Sequence, residues 1–353
     1  MVTDVIKVFT AATLSFFIGI GITPIFTYFA YKYRWWKKTG SKGKAFIEGE
    51  TTEFNKLYGN KDTEIKTPRM GGLLIWVSAT LTLVVLLIIS LLIPEGDVAS
   101  KLNFLSRNQT WLPLFTLIAG GLVGLLNDTL DITTSAHGPA KGLSFRWRVL
   151  LVLLIGLICG WWFFAKLGVI TLALPFLGAV TLGWVIVPVF MVFMLGLYSG
   201  GVIDGIDGLS GGVFSCIYGA YALIAFFGGQ INLAAFCAAV AGGILAFLWF
   251  NIPPARFWMT ETGTMALTIT ITVIAFLTDS VLPLIIIAFP LIATTASNII
   301  QLISRKVFKR KVFRIAPIHH HFEAIGWPST KVTMRYWIIS VICAIIGVAV
   351  ALV

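Results

Sequence analysis

Ten stretches of this 353-residue chain are apolar over roughly the 20 residues that a helix needs to cross a hydrocarbon layer. They occupy residues 8–30, 71–93, 112–126, 149–167, 184–198, 209–227, 231–250, 262–277, 281–303 and 335–353. This pattern limits the fold more than any single motif does. The bilayer core offers no water to backbone N–H and C=O groups, so each crossing segment must satisfy them internally as a helix. The expected fold is an all-α integral membrane protein of about ten transmembrane helices, with residues 1–353 forming one polytopic domain. The first run is too long for a cleaved leader and reads as a first span.

Composition agrees. The chain is 58% hydrophobic and 12% charged, whereas soluble domains carry about 25% charged residues. Its net charge of +11 belongs to loops between spans, and no nucleic-acid partner is expected for a chain this apolar. All four cysteines (Cys159, Cys216, Cys237 and Cys343) lie in apolar runs and read as small buried hydrophobes, with no disulfide framework.

Charge also orients the chain. If the runs alternate in direction, loops 31–70, 127–148, 199–208, 251–261 and 304–335 share one face and hold 22 of the 26 Lys and Arg residues. By the positive-inside rule that face is cytoplasmic and both termini are outside. Residues 169–183, VITLALPFLGAVTLG, are too short and turn-broken to cross, and predict a small extracytoplasmic β-hairpin between the fourth and fifth spans. Glu64, Asp128, Asp131, Asp204, Asp207, Glu261 and Glu323 lie on the basic side near span ends, and no acid, Lys, Arg or His sits in the middle of any run. A transporter is expected to place such groups near the midplane on broken helices. The distribution points instead to a membrane enzyme with a cytoplasm-facing cleft.

Residues 200–212, GGVIDGIDGLSGG, set Asp204 and Asp207 among glycines between two spans. Glycines let backbone amides approach a ligand closely, and the following helix presents its positive dipole end. Simple N-capping by Asp207 is the plainer alternative. Residues 316–327, APIHHHFEAIGW, are the most specific stretch, with a metal-binding tract or a headgroup loop as the alternatives.

That His run, with Phe322 and Glu323 after it and Ala316-Pro317-Ile318 before it, closely resembles the signature of the phospho-N-acetylmuramoyl-pentapeptide-transferase family. This is the muramoyl branch of the polyprenyl-phosphate N-acetylhexosamine-1-phosphate transferases. Four further stretches resemble the same family in the same order. TPRMGG at 67–72 is similar to its TPTMGG. NDTLD at 127–131, followed by GLSFRWR at 142–148, is similar to its DDxxK segment and the basic residues after it. GVIDGIDGL is similar to NLTDGLDGL, and FLWFNIPPARFWMTETGT at 247–264 to FLxxNxxPAxxFMGDTGS. The departures fall in the same motifs. Asn127 replaces the first aspartate of the pair, Asp131 the lysine, Arg69 the second threonine and Gly201 the asparagine. Thr260-Glu261 replace Gly-Asp.

The resemblance implies transfer of phospho-MurNAc-pentapeptide from UDP-MurNAc-pentapeptide to undecaprenyl phosphate, giving lipid I for peptidoglycan and UMP. It places the enzyme in the bacterial cytoplasmic membrane, with membrane lipid around it and a homodimer as its assembly. Phosphoryl transfer is mostly positioning and charge neutralisation, for which Mg²⁺ on one or two carboxylates is suited. The implied catalytic residues are Asp128, Glu261 and His319, with Glu261 as the metal ligand. The implied substrate-binding set is Lys66, Gly201, Asp204, Gly205, Ile206, Asp207, Asn251, Trp258, Thr260, Gln301, Ala316 and His320. Within it Asp207 faces the uracil edge, Asp204 the ribose, and Trp258 stacks on the base. Gln301 shares a helix face with Asn298 near the cytoplasmic end of the ninth span. Two alternatives stand beside this reading: a relative using another UDP-N-acetylhexosamine, and a catalytically silent homologue that binds lipid phosphate or a partner.

Overall fold

The computed structural model describes residues 1–36, 67–93, 101–134, 142–176 and 178–353. The apolar runs form helices α1 (Val2–Lys32), α2 (Gly72–Leu92), α3 (Trp111–Thr134), α4 (Phe145–Ala165), α5 (Ile186–Ser199), α6 (Leu209–Phe227), α7 (Ile231–Asn251) and α8 (Thr260–Leu277). They are followed by α9 (Val281–Ile287), α10 (Phe289–Phe308), the short α11 (Ile318–Ala324) and α12 (Ser329–Ala351). Among the described residues nine helices are long and apolar enough to cross a membrane, taking α5 with its flanking turns as Gly183–Ile203, and the bent pair α9–α10 makes a tenth if it is one span.

The ninth run is therefore not one straight helix: α9 and α10 meet at 76°. Pro290 sits in the first turn of α10. Proline has no N–H for the carbonyl four residues back and its ring clashes with that carbonyl, so the helix restarts there. The expected hairpin is present as β1 (Thr171–Leu174) paired antiparallel with β2 (Gly178–Thr181), Thr171 opposite Thr181. The Asp279 carboxylate, just beyond α8, accepts from the Ala173 amide at 3.2 Å, which places the hairpin at the C-terminal end of α8.

The bundle is built around α8, whose spanning window is 89% buried, against 17% for α1 and α12. It packs along α3, α2, α5 and α6. Protein rather than lipid surrounds α8, so threonines are tolerated in it. Thr268 and Thr272 are buried and bond back to the Thr264 and Thr268 carbonyls at 2.7 and 3.0 Å. Small residues let backbones approach. A Cβ on Gly124 of α3 would lie 2.2 Å from the Glu261 carbonyl oxygen. That contact sets the end of α3 against the start of α8.

Candidate active site

The site grows from the N-terminus of α8, where the first backbone amides of a helix lack intrahelical partners. Side chains from distant elements take two of them. Asp204 Oδ2 accepts from the Thr260 amide at 2.7 Å, and Asp128 Oδ2 from the Thr262 amide at 2.8 Å. Two carboxylates at the positive end of a helix are electrostatically favourable. Asp128 also accepts from the Thr260 and Thr262 hydroxyls, both at 2.6 Å, and is fully buried. α3 runs past its apolar stretch to Thr134, which is why Asp128 reaches α8 and why Asp131 follows on the same face.

Thr260 holds φ +55°, a left-handed conformation that costs a β-branched residue free energy and favours glycine. The family motif has glycine here. The surroundings fix the threonine in place: its hydroxyl donates to Asp128 and accepts from the Met70 amide at 3.2 Å. Residues 68–72 run alongside. The Trp258 amide donates to the Pro68 carbonyl at 2.9 Å, and the Gly71 amide to the Trp258 carbonyl at 2.8 Å.

A second tier orients the aromatic platform. Asp207 Oδ1 accepts from the Trp258 indole N–H at 3.1 Å and Oδ2 from the Ala255 amide at 3.0 Å. The N-cap of α6 is Gly208, so Asp207 is not the helix cap. Asn251 ties the two loops together, accepting from the Gly208 amide at 3.0 Å and donating to the Phe257 carbonyl at 2.9 Å.

These elements enclose a cavity of about 700 Å³. Asp204, Asp207, Glu261, Glu323, Arg69 and His320 are its ionisable lining among the described residues. Arg148 on α4 donates to Glu261 Oε1, while Oε2 receives no hydrogen bond from a described residue. Arg69 Nη1 lies 3.5 Å from Asp131 Oδ2. His320 Nδ1 is 2.8 Å from Glu323 Oε2, and Ser329 Oγ donates to Glu323 Oε1 at 2.5 Å. Burial pushes the Asp204 carboxyl above its ordinary value, against the Ser210 hydroxyl and Thr260 amide that favour its charge. Burial, helped by adjacent His320, holds His319 well below the usual imidazole range. Gly205 permits this packing, because a Cβ there would lie 2.5 Å from His319 Nε2 and 2.8 Å from His320 Nε2.

Of the residues singled out in the sequence, Gly201, Asp204, Gly205, Ile206, Asp207, Trp258, Thr260, Glu261 and His320 line the cavity. Asp128, His319, Asn251, Gln301 and Ala316 do not line it and are all buried. The structure thus turns His320, rather than His319, to the cleft. Asp128 Oδ2 is spent on α8, while Oδ1 accepts from the Asn127 side-chain amide at 3.4 Å. Gln301 holds the loop after α10, accepting from the Val312 and Phe313 amides at 3.0 Å and donating to the Phe313 carbonyl at 2.8 Å. Lys66 and Glu64 lie outside the described residues. Arg69, Arg148 and Glu323 join the site without having been assigned to it. Arg69 was visible in the sequence as a charge where the motif is neutral.

Residues 110–279, from the start of α3 to the end of α8, match the Glycosyl transferase family 4 description. With the fold and the cleft, that match defines a polytopic membrane transferase. Full-length relatives narrow the class. A phospho-N-acetylmuramoyl-pentapeptide-transferase from a Geobacillus species (strain WCH70) is 32% identical over 343 residues, covering 96% of each chain. The Anoxybacillus flavithermus protein of the same name is 33% identical over 344 residues, again 96% of each. One from Clostridium perfringens (strain SM101) is 33% identical over 285 residues, 80% of this chain and 82% of its own. The chain belongs to the phospho-N-acetylmuramoyl-pentapeptide-transferase family.

Proposed function

We infer that this chain transfers phospho-MurNAc-pentapeptide from UDP-MurNAc-pentapeptide to undecaprenyl phosphate. An oxygen of the polyprenyl phosphate forms a new bond to the sugar-side phosphorus of the diphosphate. The bond from that phosphorus to the bridging oxygen breaks, and UMP leaves with the electron pair. The observation that carries this reading is end-to-end similarity to the family together with a cleft that holds an oriented indole beside acids and a guanidinium. Trp258 offers its face to uracil. Asp207 orients Trp258, and Asp204 and Asp128 fix the α8 terminus on which Glu261 stands.

Mg²⁺ belongs to the same proposal. Among the described residues no cluster of three His, Cys, Asp or Glu side chains forms a protein-only cage, but Mg²⁺ commonly takes one or two carboxylates and completes its shell with water and substrate phosphates. Glu261 suits that role: it lines the cleft, its Oε1 is taken by Arg148, and its Oε2 receives no hydrogen bond from a described residue. Bound there, the ion would neutralise charge developing on the phosphates. Glu261→Gln keeps the shape and removes the charge, so Mg²⁺-dependent release of UMP should fall to background; equal release would refute the metal assignment.

The basic asymmetry of the loops supports a bacterial cytoplasmic-membrane location with the cleft inside and both termini outside. The largely unburied faces of α1 and α12 are the surfaces we assign to lipid and to a homodimer contact. A single cysteine at position 321 should be labelled from the cytoplasmic side of sealed vesicles, and labelling from outside alone contradicts the site. The test of function is UMP release by the purified protein with undecaprenyl phosphate and Mg²⁺. UDP-MurNAc-pentapeptide should support it and UDP-N-acetylglucosamine should not; the reverse preference favours the related transferase.

A further inference from the structure

We propose that Arg69, held by Asp131, is the side chain that takes the diphosphate of the nucleotide-sugar substrate in this chain. The proposal rests on the transferase reading and adds to it which residue supplies the cation.

The described lining of the cleft is acidic for a site that must accept an anion. Asp204, Asp207, Glu261 and Glu323 line it, and Arg69 is the only Lys or Arg lining it among the described residues. A diphosphate entering beside four carboxylates needs a local positive charge, and a guanidinium can bind two phosphate oxygens at once. Arg69 is built into a rigid stretch. Its own amide donates to the Trp35 carbonyl at 2.8 Å, and its neighbours Pro68 and Gly71 are bonded to Trp258. The ion pair to Asp131 is made by Nη1 at 3.5 Å, with the two side chains 20% and 12% exposed. Nε is buried and has no hydrogen-bond partner among the described residues. One such contact leaves most of the five guanidinium N–H donors unspent.

Two departures from the family motif meet at this point, and a third stands one helical turn back along α3. The motif has aspartate at 127, lysine at 131 and threonine at 69; this chain has Asn127, Asp131 and Arg69. Each set of three sums to zero charge. The acid has moved one helical turn along α3, from 127 to 131. The base has crossed from α3 to the neighbouring stretch, where the structure pairs it with the relocated acid. A site losing its chemistry by drift has no reason to keep charge balanced across two separate segments. The three changes read as one exchange that keeps a cation at the cleft while changing the segment that carries it.

The test uses the full chain in detergent micelles, titrated with UDP and with uridine. Arg69→Thr should weaken UDP binding about ten- to a hundredfold, the range for hydrogen bonds to a charged group, and leave uridine binding unchanged. Arg69→Lys should retain part of the affinity. The double variant Arg69→Thr with Asp131→Lys returns the motif's residues at 69 and 131 and should recover UDP binding to within a few-fold of wild type. Unchanged UDP affinity in Arg69→Thr overturns the assignment, as does an equal loss of UDP and uridine, or a double variant no better than Arg69→Thr alone. Wild type that binds neither nucleotide contradicts the transferase reading itself, a result distinct from those three.

Discussion

Asp128 offers the sharpest separation between a chemical and a positioning role. Its Oδ2 accepts from the Thr262 amide and from two threonine hydroxyls, all at 2.6–2.8 Å, in a fully buried setting. Asp128→Ala would strand these donors. The hydroxyls can rotate to backbone carbonyls, but the Thr262 amide cannot, and an unsatisfied buried donor costs about 1–3 kcal/mol. Loss of a carboxylate from a helix N-terminus adds about 0.3–1 kcal/mol, and each surrendered hydroxyl bond about 1 kcal/mol. The total is about 3–6 kcal/mol. Asp128→Asn keeps a carbonyl oxygen for the same donors and gives up only the charge, so about 1–2 kcal/mol should be lost. The assay is the thermal unfolding midpoint in detergent, measured beside the rate of UMP release. The structure predicts a large drop in midpoint for Ala, a small one for Asn, and measurable release from the Asn variant. An Asn variant with a wild-type midpoint and no UMP release would refute the reasoning, since the carboxylate would then act on substrate.

Three further outcomes follow from the same geometry. Trp258→Ala should weaken UMP binding about tenfold or more, as loss of a base stack typically does. Because Asp207 grips the Trp258 indole, the double variant with Asp207→Ala should bind hardly worse than Trp258→Ala alone; additive losses would give Asp207 its own contact with the base. Gly124→Ala puts a methyl 2.2 Å from the Glu261 carbonyl oxygen, where about 3.2 Å is needed, so α3 must retreat about 1 Å at a cost of about 1–3 kcal/mol. Turnover should fall about a hundredfold, and intact turnover would show that the α3–α8 contact does not set the site. Burial holds His319 well below its ordinary 6.5, so the unfolded chain gains a proton on acidification that the folded chain refuses. Stability is then full above about pH 6.5 and falls below it, and His319→Leu should flatten the change in midpoint between about pH 7.5 and 5.5. Equal changes in both proteins would remove His319 as the cause.

The fold was largely legible because apolar run length is a direct physical demand of the bilayer. The hairpin was legible for the converse reason, since residues 169–183 are too short to cross. The break at Ala288 was not anticipated, although Pro290 was in plain view, because a proline near a helix start is also compatible with a straight continuation. The eighth run, 262–277, is one of the three shortest, yet α8 is the centre of the bundle: threonines that weaken a lipid-facing helix are acceptable where protein surrounds it and carbonyls take their hydroxyls. In the site, the loops holding Asp204, Asp207, Trp258 and Glu261 were recognisable by residue type and order. Their partners were not. Whether Asp128 faces substrate or the amides of α8, and whether His319 or His320 reaches the cleft, depends on helix rotation and on where α3 ends. Arg69 and Asp131 each looked like an isolated departure in sequence, being 62 positions apart, and only their 3.5 Å contact makes them a pair.

The central claim is a transfer, so both products must be counted. Purified protein is incubated with UDP-MurNAc-pentapeptide, undecaprenyl phosphate and Mg²⁺, and UMP is quantified alongside the lipid product by mass spectrometry. The account predicts UMP and undecaprenyl-diphospho-MurNAc-pentapeptide in equal amounts, both absent when the lipid phosphate is omitted. UMP without the lipid product, or neither product from folded protein, would contradict it.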